Sequence, residues 1–160
     1  MESPEKKEPS PDLTLGMLTG PKMFIRIQFC PSEYKSYFLD CMLDSGCQLN
    51  LAKGSALPSF YWENTTDRGT AIEGTPVPLA AKAENFSIKL NKHSDGVTWY
   101  KLDNIKEDCI LGSEFLPRVS PFSFDIQKML FSCVINNFTV KLRLSFSFSP
   151  KCQSFVQKPV

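Results

Sequence analysis

A tight turn that carries an acidic residue is the feature of this sequence best suited to do chemistry. The turn is Asp44-Ser45-Gly46, and it lies between the apolar-rich residues 38–43 and 47–52. This pattern predicts a strand that breaks at the turn and leaves the Asp44 carboxyl group at an exposed tip. Gly46 allows the close backbone approach that such a turn needs, because it has no side chain. The Ser45 hydroxyl can bond to backbone or to a second copy of itself.

A second segment, further along the chain, predicts the end of another strand. It consists of two apolar residues and a glycine: Ile110, Leu111 and Gly112. The glycine suits a close-packed turn. We expect one short helix immediately afterwards, because Ser113 is a good helix N-cap and Glu114 favours a first helical turn. Pro117 should limit that helix to little more than one turn.

Between these two segments the sequence predicts the tip of a β-hairpin. The tip residues are Ile72, Glu73, Gly74 and Thr75. An acidic residue followed by glycine is a frequent pair at tight hairpin turns, since glycine tolerates the positive φ that these turns need. The hairpin is thus expected between the acidic turn and the second strand end.

The order of these segments resembles the retroviral-type aspartic proteases of plant pararetroviruses, the group of caulimoviruses, badnaviruses and tungroviruses. Asp-Ser/Thr-Gly in an apolar setting is the active-site triplet of aspartic proteases. The similarity covers roughly residues 22–133. Within that range, residues 83–90 and 120–124 also match the family pattern. Two positions depart from the family pattern. Ser45 stands where most members have threonine, and Cys47 stands where alanine is usual.

The resemblance implies an all-β fold: a retropepsin-like closed β-barrel-type monomer with one short helix, assembling as a C2 homodimer. It makes Asp44 the catalytic residue. Ser45 and Gly46 then complete the active-site loop, with Ser45 bonding across the dimer axis. The predicted hairpin corresponds to the flap that closes over substrate, formed by Ile72, Glu73, Gly74 and Thr75. The strand behind the catalytic loop contains Ile110, Leu111 and Gly112. A plain hairpin turn is the open alternative for the flap.

Peptide hydrolysis by aspartates requires two carboxyl groups that share a proton around one water molecule. The sequence contains one such triplet and no internal repeat, so the second acid has to come from a second copy of the chain. The hypothesis is an aspartic endopeptidase that processes a viral polyprotein, with a polypeptide as substrate. It would act in the host-cell cytoplasm or the virion as part of that polyprotein. The alternative is a non-catalytic all-β binding module with a protease-like fold.

A thiol mechanism would need Cys47 as nucleophile and His93, the single histidine, as base. Residues 91–96 predict a polar turn that shares no motif with the Cys47 segment, so this mechanism is disfavoured. Six cysteines without Cys-x-x-Cys spacing and one histidine give no metal-binding pattern. We therefore expect no metal, no cofactor, and reduced thiols that are mostly buried.

The composition bears on partners and location. The chain has 160 residues, enough for one domain, and a net charge of +1, so we expect no nucleic-acid partner and no membrane attachment. No apolar run reaches the roughly 18 residues that a membrane span requires. Residues 1–8 are charged and contain proline, unlike a signal peptide, so we expect that the protein is not secreted.

The chain divides into three predicted parts. Residues 1–20 lack periodicity and are predicted to be a disordered linker, residues 21–149 the protease-like domain, and residues 150–160 a flexible tail. Alternation places Ile25, Ile27 and Phe29 on one face of a first strand, after which residues 30–33 predict a turn. Residues 138–148 alternate most regularly. That strand could complete the core of its own chain or pair with a partner chain.

Overall fold

The structure is a computed structural model, and it describes residues 22–70 and 76–147. These residues form twelve β-strands and three short 3₁₀ helices, with no α-helix among them. The strands are β1 (Lys22–Ser32), β2 (Lys35–Leu43), β3 (Asn50–Ala52), β4 (Glu63–Asn64), β5 (Arg68–Thr70), β6 (Pro76–Pro78), β7 (Ala81–Leu90), β8 (His93–Lys101), β9 (Cys109–Leu111), β10 (Ser123–Asp125), β11 (Leu130–Ile135) and β12 (Phe138–Ser147). The 3₁₀ helices are Gly54–Ala56, Ser59–Tyr61 and Leu116–Val119.

Six of the strands close into a barrel. Their order is β1-β2-β9-β3-β8-β7, and β7 pairs back onto β1 with Ile88 opposite Phe29. The alternation predicted for the first strand explains the barrel interior, because Ile25, Ile27 and Phe29 are fully buried. The sheet continues from β1 through β12 and β11 to β10, and from β7 to β4. The predicted all-β closed barrel is confirmed.

Aromatic side chains fill one part of the core. The Phe29 ring lies 5.4 Å from the Trp99 ring, 5.6 Å from that of Tyr37 and 6.0 Å from that of Phe86, measured between centroids. These residues come from β1, β2, β7 and β8, so the cluster joins four strands of the barrel. Burying a large apolar side chain stabilises a fold by about 1.5–3 kcal/mol. The packed core therefore stabilises the barrel strands from which the loops extend.

The strands β10, β11 and β12 form an antiparallel extension of the sheet. The turn between β11 and β12 consists of Asn136 and Asn137, whose φ angles are 52° and 67°. Two consecutive positive φ values match the tight turns that asparagine favours in hairpins. Three inward-facing residues of β12 are buried by the single chain: Val140, Leu142 and Leu144. These three side chains need no partner chain to be covered, and Phe148 lies outside the described residues.

Two of the predicted turns are wrong in extent. Instead of turning at residues 30–33, β1 continues through Ser32, and the turn follows it. The turn predicted at residues 91–96 is confined to residues 91–92, because β8 already begins at His93 opposite Leu90 of β7. The His93 ring stacks on the Phe138 ring with centroids 4.9 Å apart. Pairing with the neighbouring strand supplies backbone hydrogen bonds that outweigh the polar character of these segments.

The predicted helix after Gly112 is also wrong. Residues 113–115 form a turn, and only the 3₁₀ helix Leu116–Val119 follows. Phe115 precedes that helix and provides no side-chain cap, so Ser113 is not the N-cap. Pro117 lies in the first turn of the helix instead of ending it. A proline is tolerated there because the first N–H groups of a helix have no partner within it.

The chain separates into two compact units. The larger unit is Phe24–Leu144, and the smaller comprises Met1–Met23 and Ser145–Val160, of which residues 22–23 and 145–147 are described. The boundaries predicted at residues 20 and 150 stay predictions. In the described part of the chain, no helix is both long enough and apolar enough to span a membrane.

Candidate active site

The Asp44 turn connects two strands that lie on either side of β9. Strand β2 runs parallel to β9 and ends at Leu43, whereas β3 runs antiparallel to β9 and begins at Asn50. Residues 44–49 must therefore cross the end of β9, and we name them the catalytic loop, after the role that the resemblance implies for Asp44. The Asp44 N–H donates to the Leu111 carbonyl of β9 at 3.0 Å. The sequence-predicted strand behind the loop, Ile110-Leu111-Gly112, is thus in contact with the acidic turn.

The turn itself is closed by two short-range hydrogen bonds. The Cys47 N–H donates to the Asp44 carbonyl at 3.1 Å, and the Gly46 N–H donates to the Asp44 Oδ1 atom at 3.0 Å. Asp44 is half-buried, and Ser45 and Gly46 are exposed. One carboxylate oxygen is held by the backbone of the loop. This hydrogen bond holds the Asp44 side chain against its own turn.

Residues 112–114 hold the second half of the catalytic loop. The Ser113 N–H donates to the Cys47 carbonyl at 2.7 Å, and the Glu114 N–H donates to the Gln48 carbonyl at 3.0 Å. Gly112 lies directly against this backbone, and a Cβ atom added there would overlap the carbonyl oxygens of Cys47 and Leu49. Only glycine fits at this crossing, which is the physical reason for the glycine in the Ile-Leu-Gly segment.

The sequence prediction missed Asn50, which is 1% exposed. Its side chain accepts the Gly112 N–H at 2.9 Å and donates to the Thr98 carbonyl at 3.3 Å and to the Glu114 carboxylate at 2.5 Å. Asn50 thereby joins the first residue of β3 to the segment beneath the catalytic loop. The only signal in the sequence was an amide side chain directly before the apolar pair Leu51-Ala52.

A thiol lies beside the acid, but its surroundings disfavour a nucleophilic role. The Cys47 thiol donates to the Leu49 carbonyl at 3.2 Å. Burial raises the pKa of this thiol, and the negative charge of Asp44 raises it further. A nucleophilic cysteine needs a lowered pKa, since the thiolate is the reactive form. His93, the candidate base, stacks on Phe138 at the start of β8.

The base of the predicted flap is a two-stranded hairpin. Strands β5 and β6 pair antiparallel, with Thr70 opposite Pro76. The predicted tip residues lie outside the described residues: Ile72, Glu73, Gly74 and Thr75. Asp67, just before β5, accepts hydrogen bonds from the Tyr100 hydroxyl at 2.9 Å and from Lys82 Nζ at 3.2 Å. These two bonds, the Tyr100 bond most of all, lower the pKa of Asp67. They fasten the hairpin base to β7 and β8 of the barrel.

Candidate ligands for a metal ion do not come together in the described residues. No group of three or more His, Cys, Asp or Glu residues in 22–70 and 76–147 could hold a metal ion. The cysteines in these ranges are free thiols, and three of them are buried: Cys41, Cys109 and Cys133.

Comparison with known proteins supports the resemblance stated above. No protein-family model matches the chain. The chain is 26% identical over 118 residues to the "Putative enzymatic polyprotein" of Cassava vein mosaic virus. The aligned part covers 71% of this chain and 18% of that polyprotein, so the chain spans less than a fifth of its relative's length.

One solved structure has a similar fold, and a second one is less similar. The retroviral protease-like domain of Ddi1 from Leishmania major has a TM-score of 0.55 and 14% identity, covering 76% of this chain and 93% of that domain. A retropepsin-like aspartic protease from Rickettsia conorii has a TM-score of 0.45 and 12% identity, covering 81% of this chain and 94% of that protein. The chain therefore has a retropepsin-like fold and is similar to a segment of a caulimovirus polyprotein.

Proposed function

We propose that this chain is an aspartic endopeptidase that processes a viral polyprotein, active as a homodimer with one Asp44 from each chain. The observation that carries the proposal is the position of Asp44. Its half-buried carboxyl group lies directly after the end of β2, and its backbone N–H donates to the Leu111 carbonyl of β9. The retropepsin-like fold and the similarity to a viral polyprotein segment support the same conclusion.

A C2 dimer would bring two catalytic loops together on its axis. Two carboxyl groups about 3 Å apart cannot both be ionised, so they share one proton. The ionised Asp44 takes a proton from the attacking water, and the protonated Asp44 of the other copy polarises the peptide carbonyl. The pair titrates as one unit. Each chain thus supplies half of an active site.

The other residues of the site have supporting roles in this proposal. Ser45, exposed beside the acid, bonds across the dimer axis, and Gly46 allows the turn. The hairpin that β5 and β6 begin covers the bound polypeptide with its tip: Ile72, Glu73, Gly74 and Thr75. The segment beneath the loop holds it in place: Ile110, Leu111 and Gly112. The enzyme would act in the host-cell cytoplasm or in the virion, as part of the polyprotein that it cleaves.

The test is cleavage of a precursor polypeptide at about pH 4–6, where a carboxyl pair holds one proton. Asp44→Asn should lower kcat by about a thousandfold or more and keep the fold, because the amide is nearly isosteric but cannot take a proton. Pepstatin should inhibit the wild type. Asp40→Asn is the matched control: Asp40 is half-exposed on β2, 3.5 Å from Arg26, and its loss should leave kcat within about twofold.

Two outcomes would overturn the proposal. One is an Asp44→Asn variant that keeps a tenth of the wild-type activity. The other is a folded wild type that cleaves no precursor at any pH and still binds it, which would favour a non-catalytic binding module.

A further inference from the structure

The catalytic loop depends on a side chain that is not part of it. The hydrogen bonds described above that join residues 44–49 to another segment all run to residues 111–114. Those bonds keep their geometry only if the segment 111–114 stays fixed relative to β3. Within the described residues, the side chain that joins the two is Asn50, through the N–H of Gly112.

The chemistry at position 50 requires an amide. The Gly112 N–H is a donor, so the side-chain atom facing it must be an acceptor. The Thr98 carbonyl is an acceptor, so the atom facing it must be a donor. These two backbone partners fix the orientation of the amide without ambiguity and aim its second N–H at Glu114. An aspartate would lack the donors, and a leucine would remove all three hydrogen bonds.

Glu114 is held on its outer side by a charge network. Its Oε1 atom accepts from Asn50 and lies 3.6 Å from the Arg118 guanidinium. Arg118 is itself anchored to β8, where it donates to the Gly96 carbonyl at 3.1 Å and lies 3.5 Å from the Asp95 carboxylate. The Glu114 carboxylate is thereby fixed at the rim of the fold. A hydrogen bond from an amide to a carboxylate is stronger than one between neutral groups.

We infer that Asn50 and Glu114 are a positioning pair for Asp44, acting through residues 111–114. The inference rests on the proposed function. Asn50 holds the Gly112 N–H, and the Leu111 carbonyl of the same peptide group holds the Asp44 N–H. The N–H groups of Ser113 and Glu114 then hold the carbonyls of Cys47 and Gln48. A homodimer contains this linkage twice, so a displacement of the loop misaligns both carboxyl groups. A misplacement of about 1 Å can lower a rate by about a hundredfold.

The first test uses the exposed member of the pair. Glu114→Ala removes the acceptor, and Glu114→Gln keeps an oxygen at the same place. We expect Glu114→Ala to lower kcat by about tenfold with KM within about twofold, and Glu114→Gln to restore most of the loss. The Glu114 side chain is 47% exposed, so both variants should fold. Rates are compared at protein concentrations where dimer formation is complete.

The second test replaces the Asn50 amide, which donates to Glu114, with an acceptor. Asn50→Asp places a carboxyl group opposite Glu114, so kcat should fall about tenfold to a hundredfold. The deficit should grow with pH, because the two acids can share a proton only in acid. Adding Glu114→Gln to Asn50→Asp returns a donor and should recover part of kcat. Asn91→Asp is the control. It removes one exposed hydrogen bond, from the Asn91 side-chain amide to the Lys141 carbonyl, at a distant turn.

The outcomes separate this inference from the proposed function. If the wild type does not cleave, the proposed function fails, and the NMR signal of the Gly46 amide still tests the pair: it should shift in Glu114→Ala and return in Glu114→Gln. If the wild type cleaves and Glu114→Ala keeps its kcat, the inference is overturned. It is also overturned if the variants lose thermal stability while kcat and its pH profile match those of the wild type.

Discussion

Replacing Gly112 by alanine tests whether the position of the catalytic loop sets the rate. The added Cβ atom would lie closer than 3.0 Å to two backbone oxygens, those of Cys47 and Leu49, a distance that real Cβ atoms essentially never show. Both oxygens belong to the backbone of the loop, so neither can move away by a side-chain rotation. The loop, the segment beneath it, or both must shift.

The size of the effect follows from this overlap. Restoring ordinary contact requires the carbonyl groups to retreat by about 1 Å. Overpacking of this kind costs about 1–3 kcal/mol in the free energy of unfolding. For a chain of 160 residues, that corresponds to a fall in Tm of roughly 3–10 °C. The Asp44 N–H is hydrogen-bonded to the carbonyl of Leu111, the residue before Gly112. A shift at Gly112 should therefore displace Asp44 and lower kcat by about a hundredfold.

The experiment combines thermal unfolding with cleavage of the precursor polypeptide. Gly69→Ala is the control for thermal stability, since a Cβ atom at position 69 would meet only ordinary contacts, the nearest being the Leu49 side chain at 3.5 Å. We expect its Tm to stay within about 2 °C of the wild type. A Gly112→Ala variant with wild-type Tm and kcat would refute the packing described here. A lowered Tm with unchanged kcat would refute the link between loop position and rate.

Three further predictions concern assembly, pH and the thiol. Activity per chain should fall on dilution, because each site needs two chains; constant activity over a hundredfold dilution in a proven monomer would contradict this. Hydrogen bonds from Tyr100 and Lys82 lower the pKa of Asp67. The bonds therefore stabilise the fold above the ordinary aspartate pKa, and this contribution is lost as pH falls through the lowered value. Tyr100→Phe should raise the pKa of Asp67 measured by NMR, and an unchanged value would exclude that hydrogen bond. Burial raises the pKa of Cys47, so iodoacetamide at pH 6 should leave cleavage intact, whereas rapid inactivation would favour a thiol mechanism.

Local patterns in the sequence were sufficient to predict most of the longer strands and the acidic turn. Alternation of Ile25, Ile27 and Phe29 records which face of β1 is buried, because successive side chains of a strand point to opposite faces. The turn at Asp44 depends on neighbours within three residues, as its bonds to Gly46 and Cys47 show. Features whose causes lie within a few residues are the ones that a sequence expresses directly.

The tertiary structure decided the features whose causes are distant in the chain. Ser113 and Glu114 carry good helix-start signals, but their N–H groups bond to the catalytic loop, and the chain becomes helical only at Leu116. His93 looked like part of a polar turn until pairing with β7 made it a strand residue. The role of Asn50 could not be predicted from its local pattern, because its partners Gly112 and Glu114 lie 62 and 64 residues away. Closing the barrel brings these groups together, and a buried amide gains its role only from the donors and acceptors that then surround it.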